Sequence, residues 1–155
     1  MTTSGRNYPN IKRLINNGTI EEYSIESPQV SEILDCVLAA VPEESLDRIH
    51  GFGIHEQHLP YDALYLVDGK VMIDGEFFEK LIPPVQIAVI VRTLALLVLH
   101  LDVGARHIGD LRQADGIGRG WGFHRELAYL GTVFGEDIWD IEPVRRLRRI
   151  LGRGL

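Results

Sequence analysis

Three groups of residues have types and spacings that could carry chemistry. The first is the set of six histidines, His50, His55, His58, His100, His107 and His124. A neutral imidazole is a good ligand for a transition metal. His55 and His58 share the short segment Ile54-His55-Glu56-Gln57-His58-Leu59-Pro60, where two exposed loop histidines before a strand are the plainer reading. His100 and His107 lie seven residues apart, about 10 Å along a continuous helix, too far for one ion unless the chain bends near Gly104. With such a bend, His100, His107, His124 and Glu126 form a candidate zinc set, and a metal-dependent hydrolase is the chemistry they would support. The second group is a single residue, Arg92, a fixed cation inside a long apolar run. The third is the cluster Arg145, Arg146, Arg148 and Arg149, with Arg153 behind it, a surface for an acidic partner or for nucleic acid.

Other chemistries lack their residues. The chain has five serines, none beyond position 45 and none in a G-x-S-x-G turn. Its one cysteine, Cys36, sits beside an apolar helical stripe and is expected to be packed and inert, with no disulfide framework and no Cys-based zinc site. The glycines at 116, 118, 120 and 122 do not have phosphate-loop spacing, and no strand precedes them. They are expected to form a surface loop, because alternating glycines disfavour a regular element.

The elements that must position these residues follow from periodicity and punctuation. Residues 1–26 are polar and mixed and are expected to be an arm with at most a short helix near Ile11–Ile15; residues 27–155 form one domain. Ser27-Pro28 is an N-cap followed by proline at the first helical position. Val30, Ile33, Leu34, Val37, Leu38 and Val41 then recur at helical spacing. Pro42 ends that helix and begins another. Asp68-Gly69 stands between the apolar runs 63–67 and 70–73, the signature of a two-residue hairpin turn. Phe77, Phe78 and Leu81 suggest a short helix, and Pro83-Pro84 opens the apolar run from Val85 to Leu101. A membrane span needs about 20 apolar residues and tolerates a mid-span charge poorly, so with Arg92 near its middle this run is expected to be a helix of a soluble core. Leu127, Leu130 and Phe134 mark a further helix, and Val144, Leu147 and Leu151 the last one, whose arginines face outward. The fold class expected is α+β: N-terminal helices, a small sheet built around a β-hairpin, a long buried helix and C-terminal helices.

Composition narrows the partners. The chain has 155 residues, 45% hydrophobic and 25% charged, as a globular domain does. Its net charge is −6. The charge is uneven: residues 1–84 hold fourteen acidic against six basic residues, and residues 85–155 hold eight against ten, all ten being arginine. The acidic half argues against a broad nucleic-acid footprint. The start, Met1-Thr2-Thr3-Ser4-Gly5-Arg6, lacks the apolar core of a secretory signal, so a cytoplasmic location is expected.

The stretch Tyr61–His100 resembles the front half of a zincin-like metallopeptidase, of the small cytoplasmic type that cleaves phage-type repressors or governs radiation response. In that family a hairpin with an I-x-I-D-like strand precedes a short helix and then a long helix reading H-E-L-x-H-L-L-L-H. Asp68-Gly69-Lys70-Val71-Met72-Ile73-Asp74 corresponds to the hairpin, Phe77-Phe78-Glu79-Lys80-Leu81 to the short helix and Val91–His100 to the long one. Under this resemblance the first zinc histidine falls on Arg92, the general-base glutamate on Thr93 and the second zinc histidine on Leu96. The third ligand falls on Glu126, in Arg125-Glu126-Leu127-Ala128. Arg92 would repel a metal ion, Leu96 offers no lone pair, and Thr93 is no base for metal-bound water. The resemblance therefore implies a zincin-like scaffold that holds no metal and acts by binding a protein.

Arg92 also carries an expectation of its own. On a helix its neighbours are Ala88, Val89, Ala95 and Leu96, none of which can satisfy a guanidinium. Burial then requires an acid from elsewhere. Glu126 is the first candidate, Asp74 and Glu79 the next.

Overall fold

The computed structural model describes residues 8–59, 64–100 and 108–134. Among these residues seven helices and four strands follow one another in the order α1 (Pro9–Asn16), β1 (Ile20–Ser24), α2 (Pro28–Ala40), α3 (Glu43–Arg48), β2 (Phe52–Glu56), β3 (Leu64–Val67), β4 (Lys70–Ile73), α4 (Gly75–Phe78), α5 (Pro83–Val98), α6 (Ile108–Gly120) and α7 (His124–Phe134). The class is α+β, as expected.

The strands form one sheet in the order β1-β2-β4-β3. β1, β2 and β4 run parallel; β3 closes the sheet antiparallel to β4. The β3–β4 connection is the Asp68-Gly69 turn, with φ of 51° and 73°. Positive φ at both central residues is what a type I′ hairpin requires. The return from β1 to β2 is made through α2 and α3. Ser27 caps α2 by accepting from the Val30 amide at 3.3 Å, with Pro28 in the first turn.

The stretch 1–26, expected to be an arm, contributes α1 and β1 from residue 8 onward. Ile11 and Leu14 are wholly buried, and Ile20 pairs with Phe52 inside the sheet. Asp35 of α2 holds α1 in place by accepting from the Ile11 amide at 2.9 Å and from Asn10 Nδ2 at 3.2 Å. Those bonds satisfy donors at a helix start whose N-cap, Tyr8, supplies none.

α5 is the centre of the molecule. Thirteen of its sixteen residues are buried, so it must be packed on all sides. α2, α3, α6 and α7 all pack against it, and β3 touches it as well. Among the described residues no helix is long and apolar enough to cross a membrane.

The segment expected to be a glycine loop is helical, as α6. Two of its glycines have identifiable work. A Cβ on Gly118 would lie 2.6 Å from Val91 Cγ1 and 3.1 Å from Leu127 Cδ1, so only hydrogen fits where α6 crosses α5 and α7. Gly122, at φ 102°, ends the helix. The Phe123 amide returns to the Gly118 carbonyl and the Gly122 amide to the Arg119 carbonyl, the two bonds of a Schellman stop. Tertiary packing on α5 outweighs the weak helix propensity of the remaining glycines.

Candidate functional site

The site is the middle of α5, where the resemblance sets the metal ligands and the base. Arg92 is 3% exposed, Thr93 2% and Leu96 1%. The Arg92 guanidinium meets Asp115 of α6 in a fork, Nε donating to Oδ1 at 2.9 Å and Nη2 to Oδ2 at 2.8 Å. Asp115 is wholly buried. Two parallel charge-assisted bonds are the geometry that best compensates the desolvation of both ions. Thr93 Oγ1 donates to the Val89 carbonyl at 2.7 Å, so its hydroxyl is spent on its own helix. Leu96 packs in the core.

The acid that meets Arg92 is therefore Asp115, not the expected Glu126, Asp74 or Glu79. Glu126 stands half-buried in the first turn of α7, where a carboxylate suits the helix N-terminus. Asp74 caps α4 by accepting from the Phe77 amide at 3.1 Å, and it also accepts from the Leu59 amide at 3.1 Å. Glu79 accepts from Ser27 Oγ. The sequence does not single out Asp115, because the alternating glycines beside it read as a loop. A signal was present, since Ala114 and Gly118 are small residues four apart and mark the face of a helix that approaches another closely, with Asp115 next to the first of them.

The described histidines lie on separate elements and do not converge. His100 follows α5 in a left-handed conformation, φ 58°, and is exposed; His124 opens α7 and is exposed. His107 lies outside the described residues. His55 is a residue of β2 rather than of a loop, and its Nε2 is 3.2 Å from Glu22 Oε1. His58 Nδ1 lies 3.4 Å from Asp74 Oδ2. Among the described residues no three His, Cys, Asp or Glu side chains are grouped to hold a metal ion. Cys36, expected to be packed, is exposed on α2; the apolar stripe of that helix passes beside it. The arginines 145, 146, 148 and 149 lie outside the described residues.

No family model matches the chain, and no curated protein or solved structure does either.

Proposed function

We propose that the chain is a non-catalytic zincin-like scaffold that works in the cytoplasm, holds no metal and acts by binding another protein. The observation that carries this reading is the Arg92–Asp115 fork. At the α5 positions aligned to the two zinc histidines and the base, the side chains are an ion-paired guanidinium, a leucine in the core and a threonine bonded to its own helix, so that of the aligned ligands Glu126 alone keeps a metal-binding group. The guanidinium and the leucine have no lone pair to offer to a metal, and the buried threonine hydroxyl, its proton bonded to the Val89 carbonyl, is no base for metal-bound water. A core of this kind favours a fold retained for its surface.

The sequence offers charge of both signs. The N-terminal half is strongly acidic, and the arginines at 145, 146, 148 and 149 supply a basic stretch. Opposed patches suit recognition of a protein by charge complementarity.

Elemental analysis of protein purified without a nickel column tests the reading. The expected result is zinc far below one ion per chain, together with a partner that co-elutes at fixed stoichiometry. Replacing Arg145, Arg146, Arg148 and Arg149 by glutamine should weaken that complex and flatten its salt dependence. Stoichiometric zinc, or tight salt-reversible binding of DNA or RNA in place of a protein, would overturn it.

A further inference from the structure

A cleft of about 510 Å³ opens at the end of the sheet where β1, β2 and β4 begin. The loop after α3, the hairpin turn and the end of α5 complete its walls. Its volume lies in the range of small-molecule sites.

The charged groups of the cleft divide into those already answered and those not. Glu22 Oε1 is 3.2 Å from His55 Nε2 and 3.6 Å from Lys70 Nζ, so this carboxylate and this ammonium answer one another. Asp68 is engaged as well. Glu21 and Arg48 line the same cleft and are exposed, and among the described residues neither side chain has a hydrogen bond or an ion pair, with the other or with any other group. The cleft thus presents one carboxylate and one guanidinium held apart.

Two imidazoles stand with them. His50 Nε2 lies 3.3 Å from the Asn17 carbonyl, which can only accept, so this nitrogen carries the proton. In the tautomer with Nε2 protonated, Nδ1 is the acceptor. His100 occupies the left-handed position after α5 where glycine is the usual residue, which brings an imidazole to the cleft at a conformational cost. Leu66 and Leu97 give the wall a small apolar portion.

We propose that this cleft binds a small zwitterion of the free α-amino acid class. Arg48 takes the carboxylate, Glu21 and His50 Nδ1 take the ammonium, and the leucines meet the side chain. A lone anion would leave Glu21 unanswered and bring a like charge towards it; a lone cation would do the same to Arg48. A molecule that carries both charged groups on one carbon satisfies both groups at once.

The test screens the full chain by thermal shift against each of the twenty L-amino acids alone, then titrates the best one by calorimetry. Its N-acetyl derivative, its carboxamide and inorganic phosphate are titrated beside it. The expected result is saturable one-to-one binding of the amino acid, with both blocked derivatives weaker by about tenfold or more. R48Q and E21Q, both at exposed positions, should each weaken it about tenfold while leaving the circular dichroism spectrum unchanged. Absence of binding by all twenty overturns the proposal. So does phosphate or the N-acetyl derivative binding as tightly as the amino acid with E21Q neutral, because that is a plain anion site. The cleft is separate from the Arg92–Asp115 pair, so failure here leaves the reading of α5 standing.

Discussion

Arg92–Asp115 and Arg13–Glu43 are the same chemical pair in two regions of the molecule. In the first, the side chains are 4% and 0% exposed and the guanidinium forks onto both carboxylate oxygens; in the second they are 45% and 71% exposed, and one bond of 3.0 Å joins them. Water screens the outer pair, and holding two long side chains together costs entropy, so it contributes little. The inner pair has no water to fall back on. Each ion is tolerable only because the other is present, and their geometry locks α6 to α5. Charge at the surface is therefore available for recognition, whereas charge inside α5 is consumed by the fold.

Perturbing each region separately should break or sharpen this contrast. The largest effect is expected from Asp115→Leu, which strands the Arg92 cation in the core. A loss of about 3–5 kcal/mol in urea unfolding is expected, enough to leave much of the chain unfolded. Next comes Gly118→Ala. The added methyl gains up to about 1 kcal/mol of helix propensity but meets Val91 and Leu127, so a net loss of about 1–2 kcal/mol is expected, partly recovered by adding Val91→Ala. If Gly118→Ala stabilised the chain, α6 would not lie against α5 as described.

Tyr23 stands between the two regimes. Its hydroxyl is half-buried against Ser31, and burial pushes its pKa up to about 12. A group held above its unfolded pKa of about 10 contributes stability that is complete below pH 10 and falls as pH rises towards 12. Urea midpoints measured across that window should decline, and Tyr23→Phe should remove that part of the slope. The smallest effect belongs to the outer pair: Arg13→Gln should cost less than about 1 kcal/mol, with that small loss vanishing in high salt.

The hairpin, the cap of α2 and the start of α5 were legible because each rests on local chemistry: Asp68-Gly69 for positive φ, Ser27-Pro28 for capping, Pro83-Pro84 before an apolar run. β1 and β2 were missed. They pair with each other in parallel about thirty residues apart, so no turn signal announces them, and Glu21-Glu22 disguises an edge strand. α6 was missed because what favours it is a contact with α5 rather than its own propensity. The same distinction governs the site. That Arg92 needs an acid follows from its four helical neighbours; that the acid is Asp115 follows only once α6 is a helix. Glu126, picked by alignment to a family pattern, had no such local reason behind it.

Arg92 and Asp115 form a closed, internally balanced unit in the core, and a double-mutant cycle measures it most directly. Arg92→Leu, Asp115→Leu and the double variant are unfolded in urea under one set of conditions. Each single change should be strongly destabilising, and the double change should recover most of that loss, because two leucines leave no stranded ion. If the two losses simply add, or if Arg92→Leu alone is neutral, the pair is not what holds α6 to α5, and the account of this site is wrong.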